Sequence, residues 1–287
     1  MRPLEFLEPK TLEEACSLLS KHKEEAKLIS GGQSLVPILQ QRLISPKYLI
    51  NLKGLPGLDY IKEDANSLKI GALATESAIE ISGIVQRRFP ILVEAIHTIA
   101  SVQVRNWGTI GGSLAHADPT GDFAPVLIAL GAKVKATSTK GEREIALDNF
   151  FIDYLQSALE VDEILTEVAV PYLAPKSGGV YDKEIVRAGD TGISSMAVVV
   201  SLDGKQEVKE ARIVLGCQAS VPIRAVQTEK AAVGKKAGDS IKEVEEAIAR
   251  EAHPAADVLG SVEYKVDLAR VMIRHMLPLA IDRAKAA

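Results

Sequence analysis

The chain is poor in the residues that carry the commonest chemistries. Among 287 residues it has two cysteines, Cys16 and Cys217, far apart and in no C-x-x-C unit. That excludes a disulfide framework, and the chain cannot by itself supply four thiolates to an iron–sulfur cluster. Both read as small core residues in a reducing compartment. Aromatic residues make up 4% of the chain, which disfavours a stacking platform for bases. A net charge of −4 gives no general attraction to nucleic acid. Apolar runs stay short, Met196–Val200 being about the longest, so no transmembrane segment is expected. The opening Met1-Arg-Pro-Leu-Glu-Phe lacks the apolar region of a signal peptide. A soluble, cytoplasmic chain without a nucleic-acid partner is expected.

Signature motifs are missing as well. There is no G-x-G-x-x-G after the first strand, no G-x-x-x-x-G-K-[ST] and no G-x-S-x-G, so Rossmann, P-loop and hydrolase-elbow sites are not indicated. His22, His97, His116, His253 and His275 show no metal-ligand spacing. His116-Ala-Asp118 reads either as a relay or ligand pair or as a hydrogen-bonded structural pair, the commoner fate of a loop histidine beside an aspartate.

What is present is an average globular composition, 47% apolar and 25% charged, enough for a full core in one large or two ordinary domains. Leu28-Ile-Ser-Gly-Gly-Gln-Ser-Leu35 reads as strand, tight loop and helix start. Paired glycines permit positive φ and leave no Cβ in a ligand's way. Successive N–H groups in such a loop can form an anion nest at a helix N-terminus. The alternative is an ordinary Gly-Gly turn. A second loop, Asn106-Trp-Gly-Thr-Ile-Gly-Gly-Ser113, repeats the pairing of glycines with hydroxyls, and the two together could grip a diphosphate from opposite sides.

Around these loops the periodicity predicts an α/β order. Thr11 and Glu14 fit a capping box before a helix buried through Leu12, Ala15, Leu18 and Leu19. Strands are expected at 26–29 and 48–52, a short helix at 36–43 and a hairpin from 58–61 and 67–70. Thr75 caps a helix from Glu76, and Pro90 opens another. Residues 100–122 look irregular and glycine-rich, as functional segments often do. A buried helix at 124–130, a hairpin at 132–137 and 143–147, and a strand at 163–170 follow. The run 171–179, with two prolines and two glycines, is the expected domain boundary. Beyond it come strands at 180–186, 195–202 and 211–216, then helices at 223–233, 241–251 and 263–284. The stripe Val266, Ala269, Met272, Ile273, Met276 and Ala280 reads as core.

The two glycine loops resemble the FAD-binding loops of the medium subunit of molybdenum hydroxylases of the carbon monoxide dehydrogenase and xanthine dehydrogenase type. The likeness extends along the chain through Phe6-Leu-Glu-Pro-Lys-Thr-Leu-Glu-Glu-Ala15, Gly71-Ala-Leu-Ala-Thr75, Ser101–Ala115, Asp122-Phe-Ala-Pro125, Glu163–Pro171, Tyr181-Asp-Lys183 and Arg187-Ala-Gly-Asp190. It implies an α+β fold: a vanillyl-alcohol-oxidase-type FAD-binding domain of two α/β subdomains over 1–175, split near 55–60, and a C-terminal domain over 176–287 with a three-stranded antiparallel sheet and a helix bundle. It implies FAD in this chain, and as partners a small subunit with [2Fe–2S] clusters and a large molybdopterin subunit, assembled as a dimer of heterotrimers. Electrons would pass from the iron–sulfur subunit to FAD and on to an external acceptor.

Carried over by position, Ile29, Ser30, Gly31, Gly32, Gln33, Ser34 and Leu35 wrap the pyrophosphate. Thr109, Gly111, Gly112 and Ser113 close over it, and Thr75 and Ala100 join the cofactor set. Asp122 takes the adenosine ribose, Leu165 packs on the flavin or adenine, and Lys183 reaches the flavin, where a cation favours the reduced anionic ring. From the residues alone, Asp122 is equally a helix N-cap and Lys183 a solvated strand lysine. No catalytic side chain and no metal ligand is expected. A self-contained flavin oxidoreductase of the same superfamily and a FAD-free scaffold are the other readings.

Overall fold

The computed structural model describes residues 4–287. Three layered units follow one another along the chain. The first is a parallel sheet in the order Glu5–Leu7, Tyr48–Asn51, Ala26–Ile29. Its helix Leu12–His22 starts where the Thr11 hydroxyl accepts the Glu14 N–H, and it buries Ala15, Cys16 and Leu19. The capping box is shifted by one residue, because the Glu14 carboxylate reaches back to the Lys10 N–H at 2.7 Å. The edge strand Ala26–Ile29 delivers the chain to the loop 30–34 and the short helix Leu35–Gln40.

The second unit is a five-stranded antiparallel sheet in the order Ile61–Glu63, Ser67–Gly71, Ile164–Pro171, Lys133–Ser138, Gly141–Ala146. Its central strand Ile164–Pro171 is apolar and almost wholly buried, as a covered middle strand must be. The helices Glu76–Ile81, Gly83–Arg88, Pro90–Thr98 and Phe123–Ala129 accompany this sheet, and Phe89, Phe123 and Phe150 are fully buried in its core. The stretch 100–122, expected to be irregular, holds two short helices, Val102–Arg105 and Ile110–His116. The Ser101 and Thr109 hydroxyls start them by accepting from Val104 and Gly112; the first is too short to show a period, and Gly111 and Gly112 hide that of the second.

The third unit is antiparallel, in the order Ser177–Glu184, Ser194–Leu202, Val208–Gly216, Ile223–Arg224. The fourth strand corrects the expected three: Ile223 and Arg224 pair with Leu215 and Val214, and the helix begins only at Val226. Arg224 is held there by Glu229 at 2.9 Å and Asp148 at 3.5 Å. The strand Ser194–Leu202 is buried on both faces. Ala197 and Val199 join the core of the second unit, whereas Met196, Val198 and Val200 face the core shared with Met272, Ile273 and Met276 of the long helix Val262–Ala286. Among the described residues no helix is long and apolar enough to cross a membrane.

Gly178 sets how closely that helix lies on its strand. A Cβ there would overlap the Ala280 carbonyl oxygen and come within 2.5 Å of the Ala284 nitrogen. Gly178→Ala is expected to cost on the order of 1–3 kcal/mol through overpacking, read as a lowered urea midpoint; an unchanged midpoint would mean the contact is not rigid.

Candidate cofactor site

The loop after Ala26–Ile29 and the turn before Ile110–His116 meet although 79 positions separate Ser30 from Thr109; their hydroxyls lie 3.0 Å apart. A cleft of about 430 Å³ opens beside this contact. Ser30 and Gly31 line it together with Lys53, Gly54, Leu55, Pro56 and Asp59 from the first unit. Leu73, Ala74, Thr75 and Ala78 face them, and Asn106, Trp107 and Thr109 complete the rim. Thr75 and Thr109 form an antiparallel bridge, with the Glu76 N–H donating to Gly108 and the Ile110 N–H to Ala74. Both threonines also cap helices, accepting from Ala78 and Gly112 at 3.1 Å.

The glycines have different reasons to be there. Only Gly32 of the first pair has positive φ, +73°. Gly31 serves close approach: a Cβ on it would overlap the carbonyl oxygen of Trp107. Neither glycine of the second pair needs a left-handed backbone. A Cβ on Gly111 would lie 2.5 Å from Ala72 Cβ, and one on Gly112 2.7 Å from Ser30 Oγ. Among the described residues no protein acceptor faces the N–H groups of Gly31, Gly32, Gln33, Ser34 or Leu35. Gln33 folds back onto the Gly31 carbonyl at 3.1 Å, and Ser34 starts its helix without a side-chain capping bond. Of the five, only Gly31 lines the cleft, and Gly32, Gln33, Ser34 and Leu35 follow it along the loop; a run of free amides leading into a helix suits an anion such as a diphosphate.

Other residues assigned by resemblance lie away from this cleft. Ile29 closes its strand below the loop, and Ser113 sits in the first turns of Ile110–His116. Leu165 is 6% exposed in the second core and does not line the cleft. Ala100 has φ 35°, and its carbonyl oxygen lies 2.8 Å from where a Cβ on Gly189 would stand.

Asp122 and Lys183 form one buried unit. Lys183 Nζ lies 3.0 Å from Asp122 Oδ1 and donates to the Thr98 carbonyl at 2.9 Å. Asp122 Oδ1 also accepts from the Tyr181 phenol at 2.5 Å and the Thr98 hydroxyl at 3.1 Å. Burial and this carboxylate push the Tyr181 phenol well above its ordinary value. Lys183 is therefore no solvated strand lysine. Asp122 stands at the N-cap of Phe123–Ala129 but makes no side-chain capping bond. The ribose role implied for it meets a carboxylate whose oxygens are already occupied at the Lys183 end. Lys183→Met should destabilise the chain by about 3–5 kcal/mol, because it strands a buried carboxylate. The double variant with Asp122→Leu should recover much of that loss in urea denaturation.

Glu76 was not singled out by sequence, yet it is buried behind Gly108 with Oε2 unpartnered. A Cβ on Gly108 would lie 2.6 Å from its Oε1. Burial, then the charge of Asp122, push the Glu76 carboxyl up to about 7, with Arg105 opposing. Arg105 itself is paired with Glu80 at 3.2 Å. Since the folded value is raised from 4.5 to about 7, the neutral form's stability is full below 4.5 and is lost as pH rises through 7, by up to about 3 kcal/mol. Glu76→Gln should lack this slope and be the more stable chain at pH 8 than at pH 4.5 relative to wild type, as urea midpoints at the two pH values would show.

Asp118 uses its carboxylate on the Thr120 N–H and hydroxyl, at 2.8 and 2.7 Å, as a turn residue does. Among the described residues no group of three His, Cys, Asp or Glu side chains is placed to hold a metal. Sequence reading also passed over Lys53 and Trp107, whose ammonium and indole stack across the cleft. The one available signal was that the chain's single tryptophan lies inside a glycine loop.

Comparison with known proteins gives two family matches. The FAD binding domain in molybdopterin dehydrogenase matches residues 2–173, and the CO dehydrogenase flavoprotein C-terminal domain matches residues 180–279. The 6-hydroxypseudooxynicotine dehydrogenase complex subunit alpha of Paenarthrobacter nicotinovorans is 35% identical over 99% of this chain and 97% of its own. The carbon monoxide dehydrogenase medium chain of Hydrogenophaga pseudoflava is 34% identical over 97% of each. A solved structure of carbon monoxide dehydrogenase from that organism, lacking the Mo-pyranopterin moiety of the molybdenum cofactor, superposes with TM-score 0.92 at 34% identity over 99% of this chain and 98% of that one.

Proposed function

The chain belongs to the family of FAD-binding medium subunits of molybdopterin dehydrogenases, and on that premise we propose that it is the FAD-carrying electron-transfer subunit of a heteromeric molybdenum hydroxylase. It would accept electrons from a [2Fe–2S] subunit and pass them to an external acceptor. The observation that carries this reading is the row of free amides from Gly31 to Leu35, which leaves the cleft at Gly31. Bound FAD would supply the one- and two-electron chemistry that no side chain here provides.

The chain's own residues would hold and tune that group. The amides of 31–35 bind the diphosphate, and the Ser30 and Thr109 hydroxyls, in mutual contact, close the loop pair around it. Gly31 and Gly111 let the Trp107 and Ala72 backbones approach, and Gly112 leaves room for the Ser30 and Thr109 hydroxyls, so the pocket is shaped before the cofactor enters. Lys183, an ammonium ion-paired with Asp122 and bonded to the Thr98 carbonyl, fixes a cation where the C-terminal sheet meets the FAD unit. No general acid or base is assigned.

Cys16 and Cys217 cannot supply the four thiolates of an all-cysteine cluster, and on this reading the clusters lie in a partner. The names "medium chain" and "complex subunit alpha" of the relatives support further subunits beside this one; on this reading they are a small iron–sulfur and a large molybdopterin subunit, in a dimer of heterotrimers. The free thiols of Cys16 and Cys217 support a cytoplasmic location. Residues 1–175 are read as the FAD-binding part and 176–287 as the C-terminal part.

Gly31→Val and Gly32→Val should abolish FAD retention while leaving the far-ultraviolet circular dichroism of the wild type, one through backbone overlap and the other through its φ of +73°. Visible flavin absorbance of the purified chains measures this. A wild-type chain that takes up no FAD, or variants that keep it, would overturn the assignment.

A further inference from the structure

One wall of the cleft has no task in the diphosphate reading. Trp107 is 51% exposed at the rim, although an indole normally ends up largely covered. Its backbone is fixed on both sides. Its N–H donates to Val104 at 3.1 Å, its carbonyl is wedged against Gly31, and the next carbonyl accepts the Glu76 N–H at 3.0 Å. Asn106 before it takes the Ser77 hydroxyl at 2.7 Å. A rigid turn thus holds an open aromatic face toward the cleft. Over that face stands the ammonium of Lys53, 3.1 Å from the ring centroid, on a flexible exposed stem from the opposite wall.

A dinucleotide gripped at its diphosphate sends one ring to each side. On one side the C-terminal sheet brings Lys183, with Asp122 and Tyr181, and a fixed cation suits reduced flavin. The cleft side is lined only by residues between Ser30 and Thr109 and contains none of the C-terminal sheet. Resting on the reading of the loop pair as the FAD diphosphate site, we infer that Trp107 is the stacking wall of the adenine subsite, with Lys53 as a displaceable cover. A base on an aromatic face is held more strongly than an exposed ammonium on the same face. The released ammonium gains a phosphate oxygen in return.

The full-length chain freed of FAD tests this by calorimetric titration with ADP, FMN and FAD. Trp107→Ala should weaken ADP and FAD about tenfold, equivalent to about 1.4 kcal/mol, and leave FMN unchanged; Trp107→Phe should restore most of the loss. Independently of any variant, ADP should shift or quench the emission of the wild-type chain, whose only tryptophan is Trp107. Unchanged ADP and FAD affinity in Trp107→Ala, or a silent tryptophan when ADP binds, overturns the inference and leaves the FAD assignment standing. A loss confined to FMN puts the flavin ring on Trp107 and overturns it too. A wild-type chain that binds neither FAD nor ADP brings down the FAD assignment and this inference with it.

Discussion

The site depends on one close approach. The backbone of Gly31 lies against the carbonyl of Trp107 and the Cα of Gly108 so tightly that no Cβ fits between them. This contact joins the parallel sheet of residues 5–51 to the helices of the second unit. It also aligns the Ser30 and Thr109 hydroxyls, and among the described residues no protein acceptor takes the amides of 31–35. A side chain at position 31 would push the two loops apart and open the pocket at the point where a diphosphate needs donors on both sides. The clamp is therefore made by an absence of side chain, with hydroxyls and amides arranged around it.

A second tie fixes the C-terminal sheet. Asp122 gathers Tyr181 and Lys183 from the strand Ser177–Glu184 and Thr98 from the end of Pro90–Thr98. These groups are buried together, so each satisfies the others' hydrogen bonds where water cannot. The apolar residues of Ser194–Leu202 complete the joint, because alternate side chains enter two cores. The consequence for function is a lysine of fixed position and fixed partner, placed by packing between units.

Much of the fold was legible from local chemistry. Thr11, Thr75 and Pro90 marked helix starts because caps and proline act within one turn. The methionine stripe of Val262–Ala286 was rightly read as core. The two short helices within 100–122 leave little apolar spacing to read: Val102–Arg105 is a single turn, and Gly111 and Gly112 interrupt the pattern of Ile110–His116. The strand Ile223–Arg224 is not legible in the sequence, because two residues carry no period of their own and Arg224 is held by Glu229 and Asp148 from elsewhere.

The sequence by itself determined the kind of group this protein can hold. Two short loops of glycine and hydroxyl residues, with nothing suited to metals, thiolate clusters or nucleophilic catalysis, pointed to a bound anionic cofactor, and family resemblance supplied its name. Only the tertiary structure decided which residues share a place. Gly31 meets Trp107, Asp122 meets Lys183 and Tyr181, and Lys53 meets Trp107 because separate sheets pack together. Contacts across 54 to 76 positions of chain are set by how buried faces fit, and no local spacing encodes them.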